Sequence, residues 1–177
     1  VYITDVRLIL FNPVDLRGIP TADINKEFAV WLKPKIFNMD ESNDAVNILF
    51  LDEISAASLS VQAAAYQITL DKKVGEHRLP KNCIVIAAGN RVTDKSVAYQ
   101  MPKALANRLL HFEIHPDFDS WNNWAVKNNI HPYVLGFLKF KPDRLYCDTL
   151  DGYNGMAYPT PRTYEMVSNI LNYVGED

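Results

Sequence analysis

The stretch Val46-Asn47-Ile48-Leu49-Phe50-Leu51-Asp52-Glu53 constrains this chain more than any other. It is a short apolar run that ends abruptly in two adjacent carboxylates. Its length and its β-branched and aromatic content suit a fully buried strand better than a helix. A buried strand of a parallel sheet ends at the crevice where ligands bind. Two acids at such an end are costly unless a positive group or a metal stands close by. A strand that simply runs into a solvated turn is the alternative, and the eight residues by themselves do not separate the two.

The chain has 177 residues, which fits one moderate domain or one domain with a small appendage. Hydrophobic residues make up 48%, enough for a substantial core. The net charge of −3 argues against a nucleic-acid coat or a polybasic membrane binder. Two cysteines, Cys83 and Cys147, do not make a disulfide framework. Cys83 lies in an apolar, strand-like run and reads as a core thiol, and both cysteines fit a reducing cytoplasm. No stretch approaches the roughly 20 apolar residues of a membrane span, and the N-terminus has no signal-peptide pattern. Val1 opens directly into strand-like sequence, as expected of a piece of something longer.

Tyr2 to Leu8 alternates imperfectly and reads as a strand. Asn12 to Pro20, punctuated by Pro and Gly, reads as an ordered loop. Residues 21 to 45 are weakly periodic, with Trp31, Pro34 and Phe37 as packing anchors. Beyond Glu53, Val61, Ala64, Ala65 and Ile68 recur at helical spacing and predict a helix over about Leu59 to Leu70, with Ser58 as its N-cap. Asp71 to Pro80, with a central Gly75, reads as a β-hairpin. Cys83 to Asn90 repeats the opening pattern, a buried strand ending in a polar residue. A second helix is expected over Lys103 to Leu109 and a strand over Leu110 to Ile114. From Pro116 the texture turns helical, and Thr160-Pro161-Arg162 opens a last helix with Pro at its first position. The simplest division is an α/β part, 1–115, and a helical part, 116–177.

If the Val46 and Cys83 strands are neighbours in a parallel sheet, Asp52, Glu53 and Asn90 share one edge. A neutral amide beside two acids can orient a water against a phosphate without adding charge. Taken singly, Asn90 is also an ordinary turn residue after glycine. His111, Glu113 and His115 share one face of the expected strand, but no further ligand spacing supports a metal site there. Lys72, Lys73, His77 and Arg78 make a basic hairpin, which the negative overall charge favours as a solvated feature.

Six segments in order carry a resemblance: Asp52-Glu53, Val61-Gln62-Ala63-Ala64-Ala65, Val74 to Pro80, Ala87-Ala88-Gly89-Asn90-Arg91, Leu105-Ala106-Asn107-Arg108-Leu109 and Pro159-Thr160-Pro161-Arg162. Together they resemble the MoxR branch of the AAA+ ATPases, over most of the chain from Val6 to about Ile170. Asp15-Leu16-Arg17-Gly18-Ile19-Pro20 is similar to a further segment of that branch. The resemblance implies a P-loop NTPase fold: a three-layer α/β sandwich with a mostly parallel sheet and a small C-terminal helical lid. It implies ATP and Mg²⁺ as cofactors. Asp52 would be the metal-positioning Walker B acid and Glu53 the general base that polarises water. Asn90 would be sensor 1, Arg108 an arginine finger acting on a neighbouring subunit, and Arg162 a sensor 2 residue at the γ-phosphate. Arginine suits both jobs because its charge is permanent and its fork pairs with phosphate oxygens. The implied partners are copies of the same chain in a ring, often a hexamer, and a remodelled protein or a von Willebrand factor A-type partner. The hairpin around Gly75 and the stretch Thr21 to Asp44 would be the family's two inserts.

The chain departs from the family in one respect. No Gly-x-x-x-x-Gly-Lys-Ser/Thr occurs in it, and that loop supplies the donors for the β- and γ-phosphates. The family's sheet order of 5-1-4-3-2 places the first strand beside the Cys83 strand. The expectation is therefore a C-terminal part of such an ATPase, lacking its first strand and phosphate loop and inactive alone. Two rival expectations stand beside it: a non-enzymatic assembly module on the same scaffold, and a nucleic-acid-associated motor using the basic hairpin. Arg108 and Arg162 also have plain readings, a surface ion pair and a contact with Glu165 in the first helical turn.

Overall fold

The computed structural model describes residues 1–90, 99, 101, 103–107, 109–147 and 157–175. They form two compact units, Val1–His111 and Phe112–Asp177.

In the first unit the chain opens with strand β1, Tyr2–Arg7, and a 3-10 turn over Leu8–Leu10. A short helix α1, Pro13–Arg17, follows where the sequence predicts a loop. Its cause is local. Asn12 caps the helix, the Asn12 N–H donates to Asp15 Oδ2 at 2.7 Å, and Pro13 supplies a ready helical φ. Gly18, at φ 92, ends it, because a Cβ there would sit 2.0 Å from the Leu32 carbonyl oxygen. Strands β2, Ile19–Ala22, and β3, Ala29–Leu32, form an antiparallel hairpin within the weakly periodic stretch. Of the three expected anchors there, Phe37 is fully buried, while Trp31 and Pro34 are half-buried.

Strand β4, Asn47–Asp52, is the middle of a three-stranded parallel sheet. β1 pairs with it from Tyr2↔Asn47 to Arg7↔Asp52. Helix α2, Leu59–Asp71, is capped by Ser58, whose side chain accepts from the Val61 N–H. The face foreseen from spacing, Val61, Ala64, Ala65 and Ile68, is the face it buries. β5, Lys73–Val74, and β6, His77–Arg78, make the hairpin predicted around Gly75. Gly75, at φ 57, lies so close to α1 that an added Cβ would be 2.6 Å from the Arg17 carbonyl oxygen. β7, Cys83–Ala87, closes the sheet, pairing with β4 from Asn47↔Cys83 to Leu51↔Ala87. This is an α/β fold on a parallel sheet with the order β1-β4-β7.

The sheet is buried unequally. Val6, Leu49, Leu51 and Cys83 face α2, together with Leu8, Leu16, Phe37 and Val74, and form one core. Each such side chain contributes about 1.5–3 kcal/mol when fully buried. Burial also pushes the Cys83 thiol up, in keeping with a core thiol. The register places Ile3, Ile48 and Ile84 in one row on the opposite face and Phe50 and Ile86 in the next. Ile84 is 53% exposed and Ile86 44%, so β4 is fully buried on its α2 side only.

Helix α3 covers only Lys103–Ala106, shorter than the predicted span. The strand expected over Leu110 to Ile114 is not formed. Its alternating Leu110, Phe112 and Ile114 stay exposed, because among the described residues no neighbouring strand takes up its backbone groups.

The second unit is helical, as the sequence indicates. It contains α4, Phe118–Lys127, α5, Pro132–Phe140, and α6, Pro161–Val174. Trp121, Ala125, Ile130, Val134, Leu138 and Leu145 form its core, and Tyr164 and Leu171 of α6 pack against them. Asp117 caps α4 by accepting from the Ser120 N–H at 2.8 Å, and those bonds hold its carboxyl below the usual range. The buried Ser168 hydroxyl accepts from the His131 N–H at 2.9 Å and ties α6 to the start of α5. Thr160 and Thr163 cap α6 reciprocally. No described helix is long and apolar enough to cross a membrane.

The base of the sheet depends on one amide. Asn82 Nδ2 donates to the carbonyls of Asp40, Ser42 and Ala45, each at 3.0 Å, while its Oδ1 accepts from the buried Asn47 at 3.1 Å. Asn82→Ala removes all four contacts. It is expected to cost about 1–3 kcal/mol, seen as a lower urea midpoint at unchanged slope; an unchanged midpoint would show that the 40–45 loop is held by other contacts.

Candidate functional site

The three polar residues predicted to share an edge come from two adjacent parallel strands. The ladder continues past the strand ends: the Ala88 N–H donates to the Leu51 carbonyl at 2.9 Å, and the Ile54 N–H to the Ala88 carbonyl at 2.9 Å. Asp52, Glu53 and the segment reaching Asn90 therefore leave the sheet together, at its carboxyl edge.

Glu53 breaks the strand. Its φ is 56, left-handed backbone that costs a residue with a side chain roughly 1–2 kcal/mol. Local bonds offset this. The Glu53 N–H donates to Asp52 Oδ1 at 2.9 Å, and the Glu53 carbonyl accepts from Ala56 and Ala57 at 3.0 and 3.2 Å. The reversal leaves Glu53 half-buried.

Asp52 has a positive neighbour on β1. Arg7 Nε lies 3.8 Å from Asp52 Oδ2, the two side chains being 56% and 28% exposed. At that distance and exposure the pair contributes at most about 1 kcal/mol. Its weakness leaves Oδ2 open to exchange partners. Arg7 answers the demand for a nearby cation, and only the strand register reveals it.

Ser55 and Gln62 were likewise not legible as site residues. The Ser55 hydroxyl accepts from the Asn90 N–H at 2.9 Å, and its carbonyl accepts from the Tyr99 N–H at 2.7 Å. Gln62, 2% exposed, reaches back from α2 and donates through Nε2 to the Ser55 and Ala57 carbonyls at 3.3 and 3.0 Å. Its Oε1 accepts from the Tyr66 hydroxyl at 2.6 Å. Burial pushes the Tyr66 phenol up, so it remains a neutral donor. Gly89 completes the fit: a Cβ there would lie 2.7 Å from Ser55 Oγ. The glycine that makes Gly89-Asn90 look like an ordinary turn pair is required by the approach of Ser55.

Arg108 lies outside the described residues. Arg162 is exposed in the first turn of α6, in the second unit. His111 Nε2 donates to the Ala106 carbonyl at 2.8 Å, and His115 stands 3.2 Å from Glu113. Among the described residues no three His, Cys, Asp or Glu side chains gather as metal ligands. In the basic hairpin region, Lys72 donates to the Cys83 carbonyl at 2.8 Å and His77 Nε2 to the Trp31 carbonyl at 2.6 Å. Both hold structure together rather than forming a free basic face. A groove of about 480 Å³ lies elsewhere, between α1 and the β2–β3 hairpin, lined mainly by Leu10, Val14, Ile19, Leu32 and Ile36.

The donor set at the sheet edge fits Mg²⁺ in one mode only. Mg²⁺ keeps several waters and takes one or two carboxylates together with substrate phosphates, whereas an all-protein cage needs more ligands than are present. Asp52, with one oxygen engaged by Glu53 and the other exchangeable, suits that role.

No family model matches the chain, and no curated protein matches it. Among the solved structures that this chain resembles is a candidate ATPase from Cytophaga hutchinsonii. The identity is 18% and the TM-score 0.45, over 97% of this chain and 46% of that one. The chain thus spans about half the length of that protein. A likeness of this degree carries nothing about activity, which is argued below from the residues.

The left-handed turn can be tested directly. Glu53→Gly is expected to be more stable than Glu53→Ala by about 1 kcal/mol, since only glycine adopts this backbone without steric cost. Chemical denaturation of the two variants reads the difference, and the reverse order would mean that residue 53 is not in left-handed conformation.

Proposed function

We propose that this chain carries the hydrolytic side of an ATPase site of the MoxR type. The observation that supports it best is the sheet edge, where adjacent carboxylates on the middle strand stand beside an amide residue following the next parallel strand. In this reading Asp52 orients a hydrated Mg²⁺, which when bound neutralises phosphate charge. Glu53, lifted out of the strand by its backbone reversal, accepts the proton of the attacking water. Asn90 orients that water without adding charge. Arg108 and Arg162 supply cationic contacts to the phosphates, Arg108 from a neighbouring copy in a ring.

The phosphate-gripping loop is not in these 177 residues, so another segment or chain must provide it. Among the described residues β7 pairs on one side only, with β4, which supports a further strand beside it. The mechanical output is the remodelling or assembly of a protein partner, a von Willebrand factor A-type domain among the candidates, in the cytoplasm.

A scaffold-only assembly module is the second reading, favoured by the missing phosphate loop itself. Titration of a fluorescent ATP analogue with Mg²⁺ separates the two. Tight binding is expected only for a version of the chain extended upstream through a Gly-Lys loop, with turnover reduced at least 100-fold by Glu53→Gln. Equal tight binding by the 177-residue chain would show that phosphate recognition lies within it. Binding by neither would leave the scaffold reading.

A further inference from the structure

We infer that Ser55 is a positioning residue that sets Asn90 against Glu53. The inference rests on the ATPase reading and adds a residue to it. Ser55 lies two residues beyond Glu53, in the turn created by the left-handed backbone. Its hydroxyl holds the Asn90 N–H at 2.9 Å. The contact is built from both sides. Gly89 lacks the Cβ that would strike Ser55 at 2.7 Å, and Gln62 and Tyr99 fix the Ser55 carbonyl.

One serine thus ties the backbone that carries the water-orienting amide to the turn that carries the base. The strand ladder ends at the Ile54–Ala88 hydrogen bond, so beyond it, among the described residues, the hydroxyl links the two segments. Ser55→Ala removes that link while leaving the Ser55 backbone, the Gly89 fit and the Gln62 anchor in place. Because the carbonyl contacts survive, the loss is one of orientation, and orientation governs the chemical step more than nucleotide affinity.

The test is a double-mutant cycle in the upstream-extended protein, following ATP turnover. Ser55→Ala is expected to lower kcat by about 10- to 100-fold with KM for Mg-ATP within about twofold. Asn90→Ala should lower it at least as far, and adding Ser55→Ala to Asn90→Ala should cause no further loss, because Ser55 acts through Asn90. Multiplying losses, or a KM rise with kcat unchanged, would overturn the role assigned to Ser55. Glu53→Gln in the same assay reads the parent hypothesis separately. If it turns over like the unsubstituted protein, or if the unsubstituted protein shows no turnover, both readings fall. If Glu53→Gln is inactive while Ser55→Ala retains the parent kcat, only the Ser55 inference falls.

Discussion

The architecture of the sheet edge depends on a buried glutamine. A strand that ends in two carboxylates must turn sharply, and its carbonyls then point into a region where α2 has displaced water. Gln62 supplies donors for two of them, at Ser55 and Ala57, and the Tyr66 hydroxyl satisfies its remaining oxygen. A leucine of similar volume would fill the same space but leave both carbonyls short of donors, a penalty of about 1–3 kcal/mol. The amide therefore explains why the turn holds one shape, with residue 53 in a backbone region that side chains avoid. It also explains how a helix whose other inward residues are valine, alanine and isoleucine keeps one polar group inside.

The charges at the edge are balanced loosely. Asp52 gives one oxygen to the following N–H and leaves the other 3.8 Å from Arg7, with solvent reaching both side chains. A short, buried pair would have fixed the carboxylate and raised the cost of exchanging its partner. A long, wet one commits little geometry. That leaves Asp52 Oδ2 able to exchange its partner, as the proposed hydrated cation would require. The same looseness makes Arg7 poor evidence for stability, and its place beside Asp52 follows from register alone.

Much of this was legible in the sequence, and the exceptions share a cause. The helices over 59–71 and 161–174 announce themselves through spacing and caps, and the hairpin around Gly75 through its glycine. The parallel strands reveal themselves as apolar runs with polar ends. Asp52, Glu53 and Asn90 could be singled out because a polar residue after a buried strand is locally anomalous. Arg7, Ser55 and Gln62 look ordinary in their own neighbourhoods, and only pairing across strands or helix to turn gives them partners. The helix at 13–17 was missed although its capping residues were present, since Pro and Gly at its ends read as loop punctuation. The strand at 110–114 failed for the opposite reason. Its alternating pattern was right, but a pattern of side chains cannot supply the neighbouring backbone that a strand requires.

Among the described residues, strand β7 is paired on one side only, with isoleucines exposed on the face away from α2. One further strand would satisfy the edge of β7 and cover that apolar surface. On the side of β4 the edge is well braced, by the Glu53 N–H on Asp52, the Asn90 N–H on Ser55 and Gln62 on the turn carbonyls. On the side of β7 away from β4, where the proposed phosphate-binding loop would stand, no strand pairs with it among the described residues. In the proposed reading the chain supplies groups to orient and deprotonate a water, while the phosphate-gripping loop is not among its 177 residues. On that proposal, hydrolysis needs both within about 3–3.5 Å of one another, so chemistry at Glu53 would depend on a phosphate-binding segment beside β7.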